Sequence, residues 1–522
     1  MVFKDPSNNN TMSNSINSHD RTIESPLINL NDVNAAIDAI NLGVGWDKVH
    51  AHHLKLSGPI FRNFLAKFFD KCLYHKHLPK DMLGGLIKPI IKNSALGKSD
   101  SGNYRPIMNS SNFLKIFEVI LKKILQCHIR LNNRQFGFRE NTGCTSALIV
   151  LKETLKNYYS EKSNVHCAMV DVSKAFDKVD HNILIQKLGN TTLPKPIIDI
   201  IDIMLKNTYV STCVNGWKTD SWKIDNGTRQ GGIISPLLFS FYINEILDKI
   251  SAMPVGCMLG GIRTNILCYA DDICLLAPTS AGLQNMLDSM YDEIMKLRLS
   301  INVQKCAHII FKSKEHYVVS NVSLGDTNVP RVSEYNYLGT ILAEDLCVSE
   351  DVNRASNKYL KQYHSIYAKF YKMSDDVLHY LFRTHSLSFY GAELWYDSLS
   401  SRSVKDLAIA YHKGVKKVAR LNVWDNNHLA CDIVSVPIFN HLLSRRSICF
   451  LYSLTASKSH CLLPYHYYIR YHSHLRRAMN SLFHEKYGVI RALENPLLAL
   501  LARIQFIQRT EPRTNYIYLP NH

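Results

Sequence analysis

The chemistry of this chain is concentrated where two carboxylates interrupt an apolar run, Ile266-Leu267-Cys268-Tyr269-Ala270-Asp271-Asp272-Ile273-Cys274-Leu275-Leu276. Two short apolar segments around a polar break predict a tight strand–turn–strand hairpin, with Asp271 and Asp272 side by side at its tip. Adjacent carboxylates repel unless a cation lies between them. A turn between buried strands seldom leaves a charge pair without a partner. Hard oxygen donors favour Mg²⁺. A third acid has the same setting. Val165-His166-Cys167-Ala168-Met169-Val170-Asp171 is mostly apolar and reads as a buried strand with Asp171 at its C-terminal end. Three acids on two neighbouring strands can hold two metal ions roughly 3.5–4 Å apart, the arrangement used for in-line phosphoryl transfer. One ion would lower the pKa of an attacking hydroxyl, and the other would neutralise a leaving pyrophosphate. The competing reading is a solvated Asp-Asp turn, and the apolar flanks weigh against it.

The elements that must carry these acids can be traced along the chain. Residues 1–30 are rich in Asn and Ser and read as a disordered tail. Helical spacing begins at Asn31-Asp32, either of which could be the N-cap of a helix reaching Ile40. A helix from Gly58 to Tyr74 and a strand over Leu86–Lys92 follow. Phe113 to Ile129 has helical apolar spacing, and Gln135-Phe136-Gly137-Phe138-Arg139 is an aromatic, basic and flexible patch suited to a single nucleic-acid strand. Tyr209–Val214, Asn215-Gly216 and Trp217–Ile224 form a hairpin signature with a type I′ turn. Ser235 as N-cap and Pro236 behind it start a helix running to about Ile250. Leu283, Met286, Met290, Ile294 and Leu297 make one apolar helix stripe, which is core.

The wording of these segments is that of a known family. Tyr269-Ala270-Asp271-Asp272 resembles the YxDD box of reverse transcriptases, and Asp171-Val172-Ser173-Lys174-Ala175-Phe176-Asp177 looks like their first catalytic motif. Arg229-Gln230-Gly231 with Ser235-Pro236, and Leu299-Ser300-Ile301-Asn302-Val303-Gln304-Lys305, resemble two further motifs in the family's order. The set spans roughly Asn41 to Arg420 and is similar to the non-LTR (LINE-type) retrotransposon enzymes. The resemblance implies an α+β right-hand polymerase, with fingers, a palm built on an antiparallel sheet and a helical thumb. Fingers and palm would occupy residues 31–343 and the thumb 344–425, with a basic, mostly helical region at 426–522. The implied activity is that of an RNA-directed DNA polymerase, a nucleotidyltransferase. It would extend a 3′-hydroxyl DNA primer with dNTPs on an RNA template.

The resemblance also assigns roles. Asp171, Asp271 and Asp272 would hold two Mg²⁺, with Mn²⁺ as a substitute. Lys92 and Arg105 would grip the triphosphate, a chemistry that suits an ammonium and a guanidinium. Phe176 would lie under the incoming sugar and exclude a 2′-hydroxyl. Gln230 and Tyr269 would line the nucleotide and primer site, and Lys305 would protonate the leaving pyrophosphate. Gly232 stands where many relatives carry a small polar residue, which implies a looser turn with its chemistry intact. Tyr335-Asn336-Tyr337-Leu338-Gly339 resembles a primer-grip turn, expected as an exposed apolar loop.

Composition fits this picture. The 522 residues carry 61 Lys and Arg against 44 Asp and Glu, a net charge of +17 that predicts a polyanionic partner. Residues 402–522 hold 17 Lys and Arg against six Asp and Glu, and the stretch from Tyr465 to Arg477 interleaves aromatic with basic groups. The 13 cysteines include no C-x-x-C pair and read as reduced intracellular thiols. No apolar run reaches membrane-span length, and Met1-Val2-Phe3-Lys4-Asp5-Pro6 lacks a signal-peptide core. The expected setting is intracellular and, for an active element, nuclear. No separate nuclease motif is evident, so an endonuclease is expected as a separate domain or protein. The alternative reading is a non-catalytic nucleic-acid-binding remnant. A maturase-like or telomerase-like enzyme is weaker, given the LINE-type wording of residues 390–420.

Overall fold

The computed structural model describes residues 27–93, 97, 99–312, 321–395 and 401–456. The expected N-terminal tail falls almost wholly outside the described residues, as does the stretch from Tyr465 to Arg477.

A four-stranded sheet organises the molecule. Its order is Ala307–Phe311, Val165–Asp171, Asp272–Ala277, Ile266–Tyr269, and every neighbouring pair is antiparallel. The strands read as continuous apolar runs because both faces are covered. Ala168, Val170, Ile273 and Leu275 enter one core, which they share with the helices Asn112–His128, Lys195–Lys206 and Ser280–Lys296. The alternate residues Cys167, Met169, Cys274 and Leu276 enter a second core against the helix Cys144–Ser160. Only the ends of these strands can therefore present charge.

A second sheet is built on Gly85–Ile91, which pairs antiparallel with Tyr104–Ser110 and parallel with Tyr209–Val214. The expected Asn215-Gly216 hairpin is present. Both turn residues have positive φ, 50° and 87°, as a type I′ turn requires. Helices from Ser349 to Ala456 surround a third core around Tyr359, Phe382, Trp395, Tyr411 and Phe439. That core runs through residue 425 to Leu443 without a break.

Three local expectations are corrected. The first helix, Leu30–Ala39, is capped by Asn29, whose side chain accepts from the Asp32 N–H at 3.1 Å while Asp32 bonds back to the Asn29 N–H. This reciprocal capping box sets the start two to three residues earlier than the apolar spacing alone. The helix at Ser235 has Ile234 at its N-cap and is interrupted after Tyr242, resuming as Asn244–Ala252. At the break a tight Ile246 N–H to Ile243 carbonyl bond forms, and Asn244 Oδ1 is drawn out to accept the Asn132 N–H at 2.7 Å. The turn Tyr335–Gly339 is not an exposed apolar loop. Tyr337 is buried in the second core, and Leu338 is half-buried with its carbonyl held by the Tyr390 hydroxyl at 2.8 Å.

Candidate active site

The strand register brings the acids together. Asp171, the last residue of its strand, lies directly across from Asp272, the first residue of the next. Asp272 also pairs with Tyr269 on its other side, so the two-residue turn is Ala270-Asp271. The expected tip carrying both acids is thus corrected: Asp271 occupies the turn and Asp272 opens the strand. The three acids still share one strand-end cluster. Burial first, then repulsion from Asp171, raises the Asp271 carboxyl above the usual carboxylate range, and the Arg105 charge pulls it back. Asp272 is pushed up to about 6 by burial, then by Asp271 and Asp171. Asp272, which opens its strand, keeps solvent exposure while the rest of that strand is buried.

The turn is built under strain. Ala270 has φ of 59°, a conformation that costs an L residue with a Cβ roughly 1–2 kcal/mol. Gln135 holds it there. This buried carboxamide accepts the Ala270 N–H at 3.0 Å and the Gly137 N–H at 2.9 Å through one oxygen. Backbone bonds from Phe136 N–H to the Cys268 carbonyl (2.8 Å) and from Cys268 N–H to the Arg134 carbonyl (2.9 Å) align the two segments. A Cβ on Gly137 would lie 2.5 Å from the Ala270 nitrogen, so only glycine allows the approach. The patch read as a contact for a single nucleic-acid strand is therefore mainly a brace. Gln135 and Phe136 are buried, and of its aromatics only Phe138 is exposed.

Lys305 joins the acids. The segment before it adds an edge to the Asp171 strand: Asn302 N–H donates to the Asp171 carbonyl at 2.9 Å, and Ser173 N–H to the Ser300 carbonyl at 2.8 Å. Lys305 then sits in a short 3-10 turn with its Nζ 3.9 Å from Asp171 Oδ2. Tyr335 closes the same side with its hydroxyl 3.4 Å from the Lys305 carbonyl, and burial and the charges of Asp272 and Asp171 push that hydroxyl up to about 12. The sequence marks Tyr335 only as part of the primer-grip resemblance and gives it no place beside the acids.

The remaining candidates are placed less uniformly. Phe176 is half-buried, with its ring stacked 4.4 Å from Phe239. Tyr269 is half-buried at its strand end beside the acids. Gln230 donates to Asp177 Oδ1 at 2.6 Å, and its carbonyl accepts the Met108 N–H at 2.7 Å, tying the glycine-rich turn to the second sheet. Arg105, exposed in that sheet, is close enough to act on Asp271. Lys92 is exposed, but its ammonium donates to the Gly102 carbonyl at 2.8 Å, within its own loop, rather than to the acids. A Cβ at Gly232 would meet the Ser235 hydroxyl at 2.6 Å, so the glycine belongs to a tight turn rather than a loose one.

The sequence also hid a buried ion pair. Glu118, wholly buried, binds the Arg229 guanidinium through Oε1 and accepts the Ile233 N–H through Oε2 at 2.7 Å. It fixes the turn that carries Gln230. A signal existed: Glu118 lies on the apolar stripe of its helix, between Leu114 and Leu121.

The donors suit a hard divalent cation, being carboxylates alone and mutually repelling. Among the described residues, no three Asp, Glu, His or Cys side chains already close around an ion-sized point. Residues 91–342 match the family described as reverse transcriptase (RNA-dependent DNA polymerase). Residues 91–342, which include all three strand-end acids, thus match a reverse transcriptase domain, and the mixed helix-and-sheet fold around them is of the expected α+β class. The chain is similar to non-LTR retrotransposon proteins. It is 28% identical over 245 residues to the Pol polyprotein of element R2DM of Drosophila melanogaster, covering 45% of this chain and 23% of that protein. It is 26% identical over 306 residues to the RNA-directed DNA polymerase of mobile element jockey from the same organism, covering 57% and 33%. The chain therefore spans about a quarter to a third of these relatives' length. Among solved structures, apo telomerase from Candida tropicalis aligns with a TM-score of 0.38 at 11% identity, covering 91% of this chain and 76% of that one. Among the described residues, no helix is long and apolar enough to cross a membrane.

Proposed function

We propose that this chain is the polymerase portion of a non-LTR retrotransposon protein, copying RNA into DNA from a 3′-hydroxyl primer. The cross-strand pairing of Asp171 with Asp272, with Asp271 in the adjoining turn, carries the reading. The three carboxylates would hold two Mg²⁺, which when bound activate the primer hydroxyl and neutralise pyrophosphate. Lys305, beside Asp171, is positioned to return a proton to the leaving group. Arg105 provides a forked cation for the triphosphate, and Lys92 would have to leave the Gly102 carbonyl to assist. Phe176, backed by Phe239, is the floor under the sugar, while Gln230 and Tyr269 border the nucleotide and primer end.

In this reading the two sheets with their helices are fingers and palm (31–343), and the helices sharing the third core form the thumb. RNA template, DNA primer and dNTPs are the partners, an endonuclease acts beside the polymerase, and the site of action is the nucleus. The test is primer extension on an RNA template with dNTPs and Mg²⁺. Asp171→Ala and Asp271→Ala each abolish extension while RNA binding persists. Unchanged extension by either variant overturns the assignment.

A further inference from the structure

Phe138 is the exposed aromatic of the Gln135–Arg139 patch, and the bracing of the acidic turn does not by itself explain it. Its side chain is half-exposed, and its φ of 58° is a left-handed conformation that bulky residues rarely adopt. Strain of this kind persists only where the surroundings enforce it. Here they do. Gln135 Oε1 holds the Gly137 N–H on one side and the Ala270 N–H on the other. The Thr142 hydroxyl donates to the Phe136 carbonyl at 2.8 Å, and Arg139 reaches back to the Asn132 carbonyl at 2.8 Å. One buried carboxamide therefore fixes two strained residues together, Ala270 in the acidic turn and Phe138 beside it.

The ring that this framework delivers lies between two site residues. Its centre is 6.2 Å from that of Phe176 and the two ring planes stand at 88°, the T-shaped geometry preferred by aromatic pairs. Its centre is 6.4 Å from that of Tyr269. Phe176 is thus held from two directions: Phe239 stacks behind it from the core, and Phe138 abuts it from the cleft. A core-only role would bury Phe138 and relax its backbone, and neither is observed.

We propose that Phe138 is a positioning residue for sugar selection: it locks the Phe176 ring in the orientation that excludes a 2′-hydroxyl. This rests on the reading of Phe176 as the floor under the incoming sugar. Phe138 carries no polar group with which to hold triphosphate or metal. Its loss affects which nucleotide is accepted more than how fast the correct one reacts. The pair also constrains sequence: any residue at 138 must tolerate positive φ and still present an aromatic edge.

The test compares kcat/KM for dNTP and for the matching rNTP, on RNA template, in wild type, Phe138→Ala, Phe138→Leu, Phe138→Tyr, Phe176→Ala and the double variant Phe138→Ala with Phe176→Ala. Phe138→Ala lowers the dNTP preference by roughly three- to ten-fold, the worth of one aromatic edge contact. Phe138→Tyr retains the preference and Phe138→Leu does not. In the double variant the preference equals that of Phe176→Ala alone, because Phe138 acts through Phe176. If Phe176→Ala lowers the preference and Phe138→Ala or Phe138→Leu leaves it at the wild-type value, the proposal is overturned and the floor role of Phe176 stands. If Phe176→Ala itself leaves the preference unchanged, the underlying reading of Phe176 fails, and the proposal with it.

Discussion

Removing the Gln135 carboxamide tests whether the acidic turn is braced from a distance. In Gln135→Ala, the N–H groups of Ala270 and Gly137 both lose their acceptor in a buried site. Each orphaned donor costs roughly 1–3 kcal/mol, so the pair costs about 2–4 kcal/mol after partial relaxation. That is a large share of the 5–15 kcal/mol typical of a folded domain. The stored strain at Ala270, about 1–2 kcal/mol, then works against the native turn. Relaxation of the turn displaces Asp271 relative to Asp171 and Asp272, and a shift near 1 Å costs on the order of 10²-fold in rate. The assay pairs urea unfolding with single-turnover primer extension. The expected result is a lower unfolding midpoint, a fall in kcat near two orders of magnitude and little change in KM for dNTP. Gln135→Glu keeps the acceptor oxygens and should recover stability better than rate, since it adds negative charge beside Asp271. A Gln135→Ala protein with wild-type midpoint and kcat would refute the reasoning.

Three further perturbations follow from the same physics. Glu118→Ala leaves Arg229 charged, buried and unpaired, and should cost about 3–5 kcal/mol in urea unfolding, whereas a loss under about 1 kcal/mol would show the pair to be dispensable. The His166–His308 pair, with ring nitrogens 3.3 Å apart, makes stability depend on pH. Burial, then His166 and Arg331, holds His308 down at about 4, and burial lowers His166 too. The folded state therefore refuses a proton that the unfolded chain accepts below about 6.5, so stability is complete above that pH and declines as pH falls toward 4. His308 alone should remove about 1.5 kcal/mol between pH 6.5 and 5, and His308→Leu should flatten that slope; equal slopes would contradict the assignment. Finally, Asp351 accepts the Ile341 N–H at 2.7 Å and lies 3.7 Å from buried Lys152, linking the Ser349–Phe370 helix to the rest. Asp351→Ala should lower the melting temperature by several degrees and shorten products in a single-encounter extension assay, with unaltered product length counting against a positioning role.

What the sequence made legible was whatever depends on near neighbours. The Val165–Asp171 strand lies where its apolar run ends, and the Leu283-to-Leu297 stripe is buried as its spacing implies. That the three acids lie on neighbouring strands followed from placing them where apolar runs end; that Asp171 faces Asp272 did not. The braces were illegible because their partners are remote: Arg229 is 111 residues from Glu118, and Ala270 is 135 from Gln135. A lone Gln in a glycine–aromatic segment looks the same whether it meets solvent, nucleic acid or a strained turn. The position of the turn itself was missed by one residue, because Asp272 takes part in the ladder on both sides and composition does not reveal that.

The most direct test of the central claim, that these strand ends hold two divalent ions, is a Mn²⁺ titration followed by electron paramagnetic resonance. It would use complexes of the full chain with RNA template, chain-terminated primer and dNTP. Wild type should hold two ions per complex, and the Asp171→Asn, Asp271→Asn double variant should release them. Equal Mn²⁺ binding by the two proteins would contradict the claim.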